Sequence, residues 1–341
     1  MGMVASRGAY GDENQVVLAR LKEAYKKSKQ RNLPADCLAN NLRFSLSDDS
    51  CEIFIGSEYV HHNMQSDTAS FDGWALVLNT WLDCAVSLAW DSPKKDDDVN
   101  KDKLIQRHYQ RFLYRVIRFL NANSTWFSVI DECENHLHLS KVLTPDGKSR
   151  ENPGYYLMNP PTSRERVDCE YMPLTEMDED YLENWFHCNP TVLFDALKWP
   201  EDKAILTRQV PVGLYSGIPS DKYTVFPGGK AAVDLGATYS REVALFELKD
   251  ATNIKVGSLS ELLFYCHIIR DLQLKAFKYH IKKNEGNSLD FSGAESVRGL
   301  ILAERLQPLL EHERLFSTLN KAFSSRNESF GFIQYYPTFR R

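Results

Sequence analysis

Asp234 and the triplet Glu247-Leu248-Lys249 are the residues in this chain whose types and spacing best suit chemistry. Two carboxylates crowded together in partly buried surroundings repel each other and take up a proton unless a cation lies between them. Magnesium suits such a pair, because it prefers oxygen ligands and keeps several waters beside one or two protein carboxylates. The bound ion lowers the pKa of a water and neutralises charge building on a phosphate oxygen. Lys249, two residues beyond Glu247, can orient that water or steady the phosphate. The chemistry expected of such a set is hydrolysis of a phosphodiester.

The elements that must position these residues are legible around them. Lys230 to Leu235 and Glu242 to Leu248 read as short strands, with Gly236 to Arg241 as turn material and the tip near Ser240 and Arg241. A hairpin of that form sets Asp234 roughly opposite Glu247. Alternation along a strand sends Glu247 and Lys249 to one face and turns Phe246 and Leu248 inward. An amphipathic helix follows. The simpler alternative is a hairpin carrying a solvated acid and a surface Glu-Lys pair, and the apolar run Val243-Ala-Leu-Phe246 ahead of the pair argues against it.

With those residues in place, the C-terminal half of the chain resembles the PD-(D/E)xK nuclease superfamily, the restriction-endonuclease-like fold. The resemblance implies that Asp234 and Glu247 bind the metal, Mg2+ or Mn2+, and that Lys249 is catalytic. The family often continues into a helix with a Gln-x-x-x-Tyr pattern, matched here by Glu261-Leu-Leu-Phe-Tyr265 with Glu in place of Gln. Val233 stands where the family name places proline, a position with no chemical role. Upstream, Glu179 to Pro190 (EDYLENWFHCNP) looks like the opening helix of such nucleases. That helix sometimes lends a glutamate to the metal, and Glu183 is the candidate, with Glu179 one turn earlier as an accessory. Downstream, Arg298 to Leu306 reads as a strand, Gln307 to Phe323 as a helix and Phe330 to Tyr336 as a closing strand.

Composition fits a cytoplasmic enzyme without identifying one. The 341 residues allow two domains, and 43% hydrophobic with 26% charged residues is ordinary for a globular protein. Seven cysteines without a Cys-x-x-Cys spacing read as reduced thiols. A net charge of -5 means that nucleic acid must be met by local patches. Trp74 to Trp90 is the most apolar stretch, but Asn79, Thr80 and Asp83 interrupt it, so a buried helix is expected rather than a membrane span. The start lacks a signal-peptide pattern, and Met1 to Ser6 matches the loose myristoylation pattern with no second membrane signal.

The chain is expected to divide near residue 170, into an N-terminal helix-rich α+β region (1–170) of unknown fold and a nuclease-like α+β domain (171–341) built on a mixed sheet flanked by helices. Asp12 to Arg31 reads as a helix stopped by Pro34, and its Lys26, Lys27, Lys29 and Arg31 form a weak basic cluster. Cys51 to Tyr59 and Trp126 to Ile130 read as strands. Leu143 to Arg166 reads as an irregular linker. On a long helix from Lys103 to Asn121, Lys103, Arg107, Arg111, Arg115 and Arg118 make one basic stripe that could follow a phosphate backbone. The alternative is a solvated face or one paired with acids. Glu134, His136 and His138 alternate as a weak second metal set or a plain polar strand face. No Gly-x-Ser-x-Gly elbow, phosphate-binding loop or dinucleotide fingerprint occurs.

The resulting expectation is a Mg2+-dependent endonuclease acting on DNA, with a role in bacterial defence against foreign DNA by analogy. The N-terminal region would sense, assemble with a partner protein or a second copy, or choose the target. Two alternatives stay open: an RNA-directed nuclease, and a catalytically idle nuclease fold used for binding or assembly.

Overall fold

The computed structural model describes residues 10–34, 37, 42–47, 49–64, 66–130, 133, 156–162, 179–226, 232–250, 255–281 and 289–335. The chain is mixed α+β and divides into two compact units. One comprises Met1–His138, Lys255–Ser260 and Gln307–Ser317, and the other comprises Leu139–Ile254, Glu261–Leu306 and Thr318–Arg341. The first break therefore falls at 138/139 rather than at the expected 170, and both units are discontinuous in sequence.

The first unit runs α1 (Tyr10–Lys29), β1 (Arg43–Leu46), β2 (Ser50–Ile55), α2 (Phe71–Leu82), β3 (Ala85–Trp90), α3 (Val99–Asn123) and β4 (Phe127–Val129). Its sheet has the order β1-β2-β3-β4. β1 pairs antiparallel with β2, while β2, β3 and β4 run parallel. The Trp74 to Trp90 stretch is not one helix. Asp83 takes the left-handed conformation, φ 54°, which closes α2 and lets Ala85–Trp90 pair as β3. α3 opens on Asp98, whose side chain accepts from the backbone N–H groups of Asn100 and Lys101. An aromatic cluster fills the core, with ring centroids of Phe71 and Phe119 6.1 Å apart and those of Phe119 and Phe127 4.8 Å apart.

The second unit carries β5 (Tyr156–Met158), α4 (Glu179–Cys188), α5 (Thr191–Leu197), β6 (Ile205–Pro211), β7 (Leu214–Tyr215), β8 (Thr224–Phe226), β9 (Ala232–Tyr239) and β10 (Glu242–Lys249). It continues with α6 (Gly257–Gln273), β11 (Phe277–Tyr279), β12 (Ser296–Ala303), α7 (Glu313–Phe323) and β13 (Glu328–Gln334). The division between units passes through α6 after Ser260 and through α7 after Ser317. A five-stranded sheet has the order β13-β12-β10-β9-β6, and a smaller sheet has the order β11-β5-β7-β8. In the large sheet β10, β12 and β13 are parallel, and β9 is antiparallel to both of its neighbours.

The hairpin forms much as its sequence implies. β9 extends to Tyr239, so the turn is only Ser240 and Arg241, and Ser240 adopts φ 56° to make it. Phe246 and Leu248 join Leu182 and Phe186 of α4 and Leu300 and Leu302 of β12 in one buried cluster. Gly299 of β12 is held to glycine by α6, since a Cβ there would lie 2.6 Å from Cys266 Sγ. The expected helix from Gln307 breaks. Gln307 accepts from Leu309 N at 2.6 Å and starts a short 3-10 turn, Pro308–Glu311, before α7 begins.

Among the described residues no helix is long and apolar enough to cross a membrane. Cys37, Cys51, Cys84, Cys133 and Cys266 are free thiols. Cys188 is in a disulfide, against the expectation of reduced thiols throughout. Glu134, His136 and His138, Tyr336 and the Met1 to Ser6 pattern lie outside the described residues, as does most of the Leu143 to Arg166 stretch.

Candidate active site

The antiparallel ladder pairs Phe246 with Leu235, so the next step along both strands sets Glu247 against Asp234. Leu248 N donates to Asp234 Oδ2 at 2.7 Å, tying the aspartate to the middle of the triplet. Lys249 Nζ donates to Glu247 Oε1 at 2.8 Å and to Glu179 Oε1 at 3.3 Å. Its backbone carbonyl accepts from the Tyr335 hydroxyl at 3.2 Å. Only 4% of the Lys249 side chain and 3% of the Glu247 side chain are exposed, whereas Glu179 is 32% exposed and Asp234 is half-buried. The cluster is thus sealed behind and reachable past Asp234 and Glu179.

Its charges are unbalanced. Burial raises the Asp234 pKa well above the usual aspartate range, and the charge of Glu247 adds to the rise against Lys249 and the Leu248 N–H. Burial likewise lifts Glu247, with Glu261 pushing the same way and Lys249 opposing. Desolvation alone would lower Lys249, but Glu247, Glu261, Asp234 and Glu179 together outweigh it and hold the ammonium protonated. One cation faces four acids. Protons or a second cation must make up the difference.

A magnesium or manganese ion is one such cation, and the donor set fits it. Glu247 Oε2 is buried with no donor among the described residues, and the Glu261 carboxyl lies within hydrogen-bond reach of the Glu247 carboxyl, so either a metal or a proton shared by the two acids would satisfy it. Asp234 and Glu247 supply the one or two carboxylates that Mg2+ needs beside its waters. No cluster of three or more His, Cys, Asp or Glu side chains able to hold a metal occurs among the described residues, so a cage made wholly of protein ligands is absent there. Compared with protein-family models, curated proteins and solved structures, the chain matches none. The site therefore rests on its own geometry.

Of the accessory residues, Glu261 lies buried on α6 near Glu247 and Lys249. Tyr265 is buried one turn later, its ring 5.9 Å from that of Phe264. Glu179 and Glu183 have different partners. Glu179 joins Lys249, while Glu183 accepts from Arg208 Nε and Gln209 Nε2, each at 2.6 Å. Glu183 still sits close enough for its charge to raise the Asp234 pKa.

The basic row on α3 does not form one exposed stripe. Lys103 is exposed and Arg107 and Arg118 are half-buried, but Arg111 and Arg115 are buried. Arg111 meets His108 Nδ1 at 2.9 Å, and Arg118 lies over the Tyr114 ring. Arg115 pairs with Asp72 at 2.7 Å and lies over the Phe71 ring. Spacing placed the five on one helix face without saying that the face turns inward along its C-terminal half.

The sequence reading missed Arg208, Gln209, Tyr335 and Asp72. Asp72 left a signal, as a lone acid in the apolar run Phe71 to Leu78. The other three left none, since they reach the cluster from strands and segments that only the fold brings near.

Proposed function

We propose that the chain is a metal-dependent endonuclease that hydrolyses phosphodiester bonds in DNA, with the site on β9, β10 and the start of α4. The observation that carries the proposal is the excess of buried carboxylate around Lys249, with Glu247 Oε2 left without a donor. The order of elements supports a restriction-endonuclease-like core: α4, the β9–β10 hairpin, α6, β12, α7 and β13, with β10, β12 and β13 parallel.

In this reading Asp234 and Glu247 hold Mg2+ or Mn2+, which when bound supplies a water of lowered pKa and offsets charge on the phosphate. Lys249 stays charged because acids surround it, and beside the donors turned to Glu247 and Glu179 its third N–H would serve the attacking water or a phosphate oxygen. Glu247 and Glu179 grip the ammonium from two sides and fix its direction. Holding a charged group ready in a dry pocket avoids reorganisation when charge develops on the substrate. Half-buried Asp234 and Glu179 form the open side through which a backbone phosphate enters.

Plasmid, single-stranded DNA and RNA incubated with the full chain, with Mg2+, Mn2+ or chelator, test this directly. Expected is metal-dependent cleavage of DNA that the Lys249→Ala variant loses. Cleavage that survives both chelator and the substitution sinks the mechanism, cleavage of RNA alone redirects the substrate, and no cleavage of any substrate leaves the idle fold.

A further inference from the structure

Each oxygen of the Glu183 carboxylate accepts a hydrogen bond. Arg208 Nε donates to Oε1 and Gln209 Nε2 to Oε2, each at 2.6 Å, and Arg208 Nη1 also donates to Asn184 Oδ1. Consecutive residues of a regular strand point to opposite faces, so two neighbours on β6 should not reach one carboxylate. β6 is irregular at this point. Its pairing with β9 passes from Arg208↔Leu235 to Val210↔Val233, skipping Gln209, which adopts φ 52°. A non-glycine residue in the left-handed region costs of order 1–3 kcal/mol and persists only where its surroundings over-determine it. The register is the same on both sides, so the distortion falls at the missing pair, Gln209 opposite Asp234, and it turns Arg208 and Gln209 onto a glutamate whose charge reaches Asp234.

We infer that Arg208 and Gln209 are positioning residues that fix Glu183 as an outer partner of the metal held by Asp234 and Glu247. This inference rests on the metal-dependent reading of the site. With Arg208 and Gln209 each donating to one of its oxygens, Glu183 acts on the metal through its charge and its fixed direction. The strained backbone at Gln209 is what this placement costs, and a purely structural clamp would have no reason to keep it at this register position.

Mn2+ titrated calorimetrically into the full chain, wild type beside Gln209→Gly, Arg208→Lys and Asp234→Asn, tests the inference, with thermal melts in chelator run in parallel. Glycine accepts φ 52° without strain but removes the donor to Glu183, so Gln209→Gly should still fold, as its melt in chelator shows, while binding Mn2+ about tenfold or more weaker, the scale on which outer partners act. Arg208→Lys keeps the charge but loses the guanidinium fork and should also bind at least about tenfold weaker. Wild-type affinity in both variants, with binding still abolished by Asp234→Asn, overturns the positioning role and leaves the metal site standing. If Gln209→Gly does not fold, the Arg208→Lys affinity decides alone. Wild-type protein that takes up no Mn2+ overturns the site and the inference together.

Discussion

Asp72 in the first unit and Glu247 in the second are both carboxylates sealed from solvent beside a cation, yet their surroundings are opposite in kind. Asp72 faces Arg115 through Nη2 at 2.7 Å and Nε at 3.2 Å, and it also accepts from Gly73 N and Ser260 Oγ. Arg115 places its remaining Nη1 on Ala69 O at 2.8 Å. One negative and one positive charge meet with their polar atoms filled. Around Lys249, by contrast, four carboxylates share one ammonium, and Glu247 Oε2 has no donor among the described residues. Buried charge alone does not mark a reactive site. Buried charge that fails to balance is what the proposed site adds.

The contrast can be broken from the reactive side first. Lys249→Ala should lower metal-dependent DNA cleavage by about 10²–10⁴-fold, the usual contribution of a positioned proton-handling group, measured as the initial rate on plasmid. A matching loss for a substitution at Asp72 would erase the distinction.

The balanced pair yields a stability effect. Arg115→Ala leaves Asp72 buried and unpaired and should cost about 3–5 kcal/mol in unfolding by denaturant, whereas the double replacement Asp72→Leu with Arg115→Met should return close to wild type. Equal costs for the single and double variants would show that shape, and not charge balance, governs this pair.

Asp234→Asn sharpens the comparison through pH. The folded pKa values of Asp234 and Glu247 lie above their ordinary values of 3.8 and 4.5. The folded state therefore holds protons that the unfolded chain releases, and this stabilisation, full below the ordinary values, is lost as pH rises through the raised ones. In chelator, melting temperature should fall with rising pH above about pH 4, and Asp234→Asn should flatten that decline while abolishing cleavage. Glu328 titrates with the opposite sign. His267 at 2.8 Å and Arg326 hold its pKa below 4.5 against burial, so its share is lost as pH falls. A wild-type melting curve without the fall above pH 4 would remove the case for charge imbalance.

The smallest effect belongs to the exposed pair Arg314–Asp83, 3.0 Å apart. Arg314→Ala should change stability by no more than about 1 kcal/mol and leave cleavage unchanged. A larger loss would mean that its hydrogen bond to Thr80 O matters more than the ion pair.

Much of the acidic cluster around Lys249 was legible because it is local. Asp234, Glu247 and Lys249 lie on two adjacent strands, and the period of two together with a two-residue turn fixes their relation. Glu261 and Tyr265 follow at helical spacing on α6. Glu183 was legible on its helix, but its partners Arg208 and Gln209 were not, since they reach it from a distorted point of β6 that no sequence rule announces. The α3 arginines show the reverse failure: periodicity finds a face, and only packing says whether that face meets water. The break inside Trp74 to Trp90 turned on one backbone angle at Asp83, within an apolar stretch whose two halves look alike.

The first unit is assembled from pieces far apart in sequence. The indole of Trp81 donates to Leu309 O across 228 residues, and Lys29 and Arg31 reach Glu311 across 282 and 280. On the ribosome, the N-terminal stretch must wait for residues 307–317 to emerge, an interval of roughly ten seconds or more at the usual 5–20 residues per second. During that interval its sheet lacks these late contacts, so a premature stop anywhere before residue 307 would release a chain whose N-terminal unit is unfinished as well as its site.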